Sequence, residues 1–342
     1  MTRRHAVDLE KLAFPARGSS REKLHFALNA AILAPSGHNT QPWLFRLHED
    51  FVDIRADRRR RLPVIDPQDR ELTISCGAAL FNLRVALEAH GLGCRVHLLP
   101  EEADSDLLAR VHLTESSGAS PLARLWPAIP RRHTHRLPFQ DRQVESDVLW
   151  AMQEAGLTEG CRFLPLTGEL KNEAIGLIGE VDVRVATDPL YRQALDRWIT
   201  THIEADGVQV AEGIEITILD DFAASLPRWL MRFKGNGQAR GERDQELARR
   251  APLLALLAAP GDTVCHWLMV GQGLQRVLLE GVLAGLQASY LNQPLELPDT
   301  RAWLARWTSG TTPHLMLRMG YPEHEHRSPP RRALADLVEN IP

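Results

Sequence analysis

Apolar residues recur at helical spacing from about Arg21 to Ala34, with Leu24, Leu28, Ala31 and Ile32 on one face. The run stops at Pro35. After Pro42 the segment WLFRLH reads as a strand at about 43–48, and a second strand is expected at about 52–57. Asp66-Pro67 then starts a turn, and a long helix runs from about Glu71 to His90, with Gly91 as a left-handed cap and a strand from Arg95 to Leu99 behind it. Pro127 to Pro130 favour an extended, linker-like path. Helices are expected at about 145–156, 168–182 and 189–204. LLALLAA reads as a buried strand, HWLMVGQGLQRVLLEGVLAGL as a second long helix, HLMLRMGYP as a strand and turn, and SPPRRALADLV as a tail. Residues 205–250 break the pattern. They hold Asp206-Gly207, the run IEITIL, and Trp229, Met231 and Phe233 at alternate positions; a lid over a pocket and a surface loop docked by its own apolar residues are both open.

The two long helices also match each other. Set beside residues 76–92, residues 270–286 align Gly77 with Gly271, Leu80 with Leu274 and Gly91 with Gly285. This reads as an internal repeat of one α+β unit in tandem.

Composition narrows the class without choosing a function. The chain has 342 residues, 44% apolar and 25% charged, enough for two ordinary domains or one large one. A net charge of −4 argues against a general nucleic-acid binder. Cys76, Cys94, Cys161 and Cys265 lie far apart and are expected as reduced, mostly buried thiols. MTRRHAVDLEKL lacks an apolar signal core and no segment has 18 uninterrupted apolar residues, so a cytoplasmic protein is expected, with no membrane partner.

Chemistry gathers in two stretches. In APSGHNTQPW, Pro35, Ser36, Gly37, Asn39 and Gln41 suit a tight loop that brings amide, hydroxyl and backbone donors into one polar mouth. Such a mouth suits a planar ligand with many acceptors, such as a flavin ring; a plain cap and turn is the alternative. In RRHTHR, an extended path points Arg132, Thr134 and Arg136 the same way, a cation–hydroxyl–cation set suited to phosphate. The run Arg58 to Arg61 reads as an anion contact or, more simply, a solvated loop. His324 and His326 lack a third metal ligand, and Gly271-x-Gly273 lacks the third glycine of a dinucleotide fingerprint.

These motifs resemble the FMN-dependent nitroreductase superfamily. APSGHNTQPWLF is similar to its APS-x-x-N-x-Q-P-W signature, and the run D-P-x-x-R-E-L-x-I-S-x-G-A-A-L-x-N-L-R resembles the Acg-type branch. The resemblance implies an α+β fold of two tandem α+β repeats forming an internal pseudo-dimer, with mixed and antiparallel sheets and long central helices. Residues 1–126 and 127–342 would be the halves, with a lid insertion at 205–250. By the same resemblance Arg132, Thr134 and Arg136 match the phosphate-binding R-x-S-x-R segment, and Arg331 and Arg332 match a basic pair that reaches the phosphate. Asn292 and Gln293 fall where the family meets the reactive edge of the flavin, although the usual acidic residue and glycine are absent there. The APS loop sits in the first half and the cations in the second, which implies one composite FMN site per chain in a monomer or weak homodimer. Three readings follow: an FMN-dependent oxidoreductase passing hydride from NAD(P)H to a nitroaromatic, quinone or similar small acceptor; an FMN-binding protein whose lid shields the flavin; or a non-redox protein that kept the fold. No side chain need act as a nucleophile. Arg136→Ala is expected to weaken FMN binding by about 1.5–3 kcal/mol, the scale of a charge-assisted hydrogen bond, measured by flavin titration.

Overall fold

The computed structural model describes residues 8–115, 118, 120–198, 237–324 and 331–339. Helix α1 (Ser20–Ala31) starts with a capping box: the Ser19 hydroxyl accepts from the Glu22 N–H, and the Glu22 carboxylate accepts the Ser19 N–H at 2.7 Å. Strands β1 (Trp43–Leu47) and β2 (Phe51–Ala56) form an antiparallel pair. Helix α2 (Arg70–Ala89) follows, its N-terminus capped from outside by the Asp66 carboxylate, which accepts the Leu72 N–H at 3.0 Å. It ends at Gly91, whose φ of 73° is the left-handed cap expected. Strands β3 (Leu92–Leu98) and β4 (Leu107–Glu115) complete the first unit.

The second unit repeats the plan. Helix α3 (Ser146–Thr158) leads into β5 (Arg162–Leu166). Helices α4 (Gly168–Thr187), α5 (Pro189–Trp198) and α6 (Gly237–Arg250) intervene before β6 (Leu253–Ala259). The long helix α7 (Val264–Leu283) and β7 (Gln287–Tyr290) follow. Short helices α8 (Gln293–Glu296) and α9 (Pro298–Ala305) precede β8 (Thr312–Gly320). The first sheet runs β3-β4-β2-β1 and the second β7-β8-β6-β5, every one of these pairs antiparallel. Strand for strand, the order is the same. One extra strand, β9 (Val338–Glu339), returns from the tail and pairs parallel with β1, which makes the first sheet mixed.

The two units meet where α2 crosses α7. A Cβ added at Gly77 would stand 2.5 Å from the Leu268 carbonyl oxygen, and one at Gly271 would strike the Ile74 carbonyl oxygen. Only glycine allows this approach. The contact is reciprocal: Gly77 meets Gly271 and Leu268, and Gly271 meets Gly77 and Ile74. Reciprocity of this kind is the geometry of a two-fold contact, and its centre is the glycine pair that the repeat aligns. Gly285, aligned with Gly91, is likewise left-handed, at φ 87°. Next to the crossing, the buried Gln275 Nε2 donates to Asn82 Oδ1 at 2.7 Å, and Asn82 Nδ2 donates to the Ala30 carbonyl at 2.9 Å, tying α7, α2 and α1 in series.

Several expectations change. Strand β4 was not expected, and β3 begins at Leu92 rather than Arg95. Pro127 sits inside a 3₁₀ helix, Ala123–Ala128, rather than an extended linker, since its fixed φ is compatible with that helix. Of the expected 205–250 insertion, residues 205–236, with Trp229, Met231 and Phe233, lie outside the described residues. Residues 237–250 are helix α6, held to α4 by Gln245 Nε2 donating to the Ile175 carbonyl at 3.1 Å. Helix α2 is long and apolar enough to cross a membrane, but most of it is buried inside the protein.

Gly271→Ala is expected to cost about 1–3 kcal/mol, because overpacking at backbone outweighs the gain in helix propensity. Gly176→Ala, in an exposed turn of α4 with nothing near the added Cβ, is expected to stabilise by about 0.4–1 kcal/mol. Urea midpoints of the two variants measure both signs.

Candidate functional site

The loop that leaves α1 is held in an uncommon conformation. His38, Asn39 and Gln41 have φ of 51°, 53° and 48°, left-handed values that cost roughly 1–3 kcal/mol each for residues with side chains. Its own bonds hold part of it: the Gln41 N–H donates to Ser36 Oγ at 2.9 Å, and the Thr40 N–H to the Gly37 carbonyl at 2.9 Å. Arg60 Nε donates to the Thr40 carbonyl. The tail holds the rest. The Arg332 N–H donates to Gln41 Oε1 at 2.8 Å, Arg332 Nη1 donates to the Gln41 carbonyl at 3.2 Å, and Arg331 Nη1 donates to Asn39 Oδ1 at 3.1 Å. Pro35 and Gln41 are buried; Ser36, Gly37 and Asn39 are partly open.

The four-arginine run is divided: Arg58 and Arg60 are drawn in as a brace for this loop, while Arg59 and Arg61 stay exposed, as a solvated stretch would have them. Arg60 is buried against Thr40. Arg58 pairs with Asp69 at 2.6 Å and Asp106 at 2.9 Å, and Arg59 with Asp57 at 2.7 Å. Asp57 lies 3.6 Å from Arg332 Nη1 as well, so the brace and the tail share a carboxylate. Of the acidic residues that meet the run, Asp57 is its neighbour in sequence, whereas Asp69 and Asp106 come from farther along the chain.

Beneath the loop lies a cationic floor. Thr134 forms a parallel bridge with Ala288, and the His135 N–H donates to the Ala288 carbonyl at 2.9 Å, so residues 132–136 run along the edge of β7. The alternation expected there is uneven: Arg132 is buried, Thr134 half-buried and Arg136 exposed. Arg132 Nη2 makes one long bond, 3.4 Å, to the Leu33 carbonyl, and its Nε has no partner among the described residues. Arg331, also buried, reaches the Leu33 and Ala34 carbonyls at 3.4 Å. Burial, and then the neighbouring Arg132, pull the Arg331 pKa down to about 9, with Tyr290 opposing. Burial lowers Arg132 in the same way. The Tyr290 hydroxyl has no hydrogen-bond partner among the described residues; burial first of all pushes its pKa up to about 12, opposed most by Arg132.

The third wall joins the two units. Asn292 Nδ2 donates to Glu71 Oε1 at 3.3 Å, while Asn292 Oδ1 accepts the Met316 N–H at 3.1 Å. Both ends of this amide are therefore used within the protein. Glu71 Oε2 stands beside the loop, 3.1 Å from where a Cβ on Gly37 would be. Arg70, next to Glu71, crosses to the Leu295 carbonyl at 2.9 Å. Gln293 Oε1 is buried with no partner. The structure thus gathers the Pro35–Gln41 loop, Arg132, Thr134, Arg331, Arg332, Asn292 and Gln293 around one place, with Arg136 at its exposed end.

Sequence reasoning missed Glu71 and Tyr290. Glu71 was visible only as one letter of the D-P-x-x-R-E-L run, and nothing local marks Tyr290. Glu71 is pushed up to about 7, by burial first and then by Asp66, against Arg70 and the Asn292 hydrogen bond. A carboxyl raised in the folded state stabilises fully below its unfolded pKa, and that contribution is lost as pH rises through about 7. Ligand-free protein is therefore expected to lose about 1–3 kcal/mol between roughly pH 5 and 8 from this group. Glu71→Gln should remove that loss, seen as a flatter profile of melting temperature against pH.

Two relatives are similar to the chain along nearly its whole length. A protein of Mycobacterium tuberculosis (strain ATCC 25618 / H37Rv), provisionally named NAD(P)H nitroreductase Rv3131, is 29% identical over 329 residues, 93% of this chain and 91% of that protein. A second from the same strain, provisionally named NAD(P)H nitroreductase acg, is 26% identical over 322 residues, 91% of this chain and 93% of that protein. Among solved structures, the FMN-dependent nitroreductase NfnB of Mycobacterium smegmatis, in complex with NADPH, aligns with a TM-score of 0.42 at 18% identity, over 65% of this chain and all of that one. No family model matches the chain. Along nearly its full length the chain is thus similar to Acg-type members of the nitroreductase superfamily.

Proposed function

We propose that the chain binds one FMN and acts as an oxidoreductase, passing hydride from NAD(P)H to a small nitroaromatic, quinone or related acceptor. The observation that carries this is Arg132. Its guanidinium is buried, its Nε has no partner, and a second buried guanidinium, Arg331, lies close enough to lower its own pKa. A buried cation without an anion is costly, and a phosphate is the group that two forked guanidiniums hold best. The orphaned Tyr290 hydroxyl and Gln293 Oε1 add a donor and an acceptor in the same place. These residues fit FMN: an anion at one end, a ring rich in hydrogen-bonding atoms at the other.

In this reading Arg132 and Arg331 hold the phosphate, with Thr134 and Arg136 at its outer side. The Ser36 and Gly37 backbone N–H groups serve the ring, those of Asn39, Thr40 and Gln41 being used within the loop. Asn39 and Gln41 set the loop's shape through Arg331 and Arg332. Bound FMN supplies hydride transfer at its N5, so the protein's task is binding and orientation. The shared strand order supports a tandem pair of units with an internal pseudo-dimer contact at Gly77 and Gly271. One site per chain follows from the second unit's counterpart of the loop. Between α3 and β5 it is only residues 159–161, and Glu159 is clamped by Arg84 at 2.6 Å and Arg276 at 2.8 Å. The reading includes a cytoplasmic monomer with no nucleic-acid or membrane partner.

The test is flavin content followed by anaerobic addition of NADH or NADPH to the purified protein. One FMN per chain that bleaches supports the oxidoreductase. One that stays yellow until dithionite is added supports a shielded flavin instead. No flavin, even after FMN is supplied, ends both. Arg132→Ala is expected to raise the Kd for FMN by about ten- to a hundredfold, the loss of a charge-assisted hydrogen bond, in a fluorescence titration.

A further inference from the structure

We propose that Glu71 is an FMN-contacting residue whose protonated carboxyl donates a hydrogen bond to the ring, so that binding FMN takes up a proton. The inference rests on the FMN reading above. Three features of the site point to it. Asn292, on the wall expected to face the ring, spends both ends of its amide on Glu71 and the Met316 N–H, and so holds Glu71 in place rather than reaching outward itself. The carboxyl enters from the other unit: it starts at α2 and ends between Asn292 and Gly37. Its two oxygens then divide the work. Oε1 accepts from Asn292, and Oε2 has no hydrogen bond among the described residues and lies against the loop at Gly37. The expected acidic residue missing beside Asn292 is thereby replaced by a carboxyl from the partner unit.

Protonation follows from the surroundings. The charged and titratable groups acting on Glu71 are Asp66, which opposes ionisation, and Arg70, which favours it. Tyr290 lies on the other side, in the field of Arg132, Arg331 and Arg136. A flavin ring offers mainly acceptors along its polar edges. A neutral carboxyl donates to such an edge, and an ionised one repels it. FMN therefore selects the protonated form, and by linkage its affinity falls as pH rises above the pKa of the free protein, by up to about tenfold per pH unit.

The experiment titrates FMN into flavin-stripped protein from pH 6 to 9, read by flavin fluorescence, for wild type, Glu71→Gln and Glu71→Ala. Proton uptake is read by calorimetry at pH 8 in two buffers of different ionisation heat. Wild type is expected to weaken steeply above pH 7 and to take up a proton on binding. Glu71→Gln, whose amide donates at every pH, should keep its low-pH affinity throughout and take up none. Glu71→Ala should bind weakly and without this slope. The phosphate's own titration near about pH 6 is common to all three. A wild-type affinity that is flat with pH, or a Glu71→Gln slope equal to wild type, overturns the proposal while leaving FMN binding intact. Failure of wild type to bind FMN at any pH overturns the FMN reading and this one with it.

Discussion

The crossing of α2 over α7 at Gly77 and Gly271 is the constraint on which the rest depends. Backbone meets backbone there, so the two units cannot shift against each other without opening the contact. The start of α2 is thereby fixed relative to the segment after β7, which brings Glu71 from one unit to Asn292 of the other and Arg70 to the Leu295 carbonyl. A glycine pair in the middle of two long helices thus sets, several turns away, the width of the gap in which a ligand would lie.

Cations complete the site at a cost. Arg132 and Arg331 are withdrawn from water and placed near each other, and the carbonyls of Leu33 and Ala34 past the end of α1, together with Asn39 Oδ1, accept from them. The negative end of a helix softens this arrangement. Around it, ordinary ion pairs are used as struts: Arg58 to Asp69 and Asp106, Arg59 to Asp57, and Asp57 beside Arg332. The strained left-handed residues of the loop stay in place because these struts and the tail hold them from both sides.

How much of this was readable from the chain depends on how local each signal is. The two long helices, the cap at Gly91, the buried strand at 253–259 and the polar loop after Ala34 are local in sequence, and each is where its pattern places it. Strand β4 was missed because LLARVHLTE carries polar residues that pair across the sheet rather than alternate cleanly: Arg110 bonds Asp53 from β2 at 2.6 Å. The role of Arg60 was missed because its acceptor, a carbonyl at Thr40, leaves no mark in the side-chain pattern. Glu71 was hidden for the opposite reason, sitting in a helix whose other residues are plainly core. Position 71 acquires a role only when Asn292, more than two hundred residues later, folds against it.

The parallel pairing of β9 with β1 has a consequence for synthesis. The first unit emerges from the ribosome early, with four of its five strands and the 36–41 loop already in the sequence. Arg331, Arg332 and β9 leave long after it. A nascent chain can therefore settle its first half during translation, yet the loop lacks its tail-side supports until residue 339 is free to pair with Arg46. A chain released short of residues 331–339 would lack the tail-side bonds of this loop.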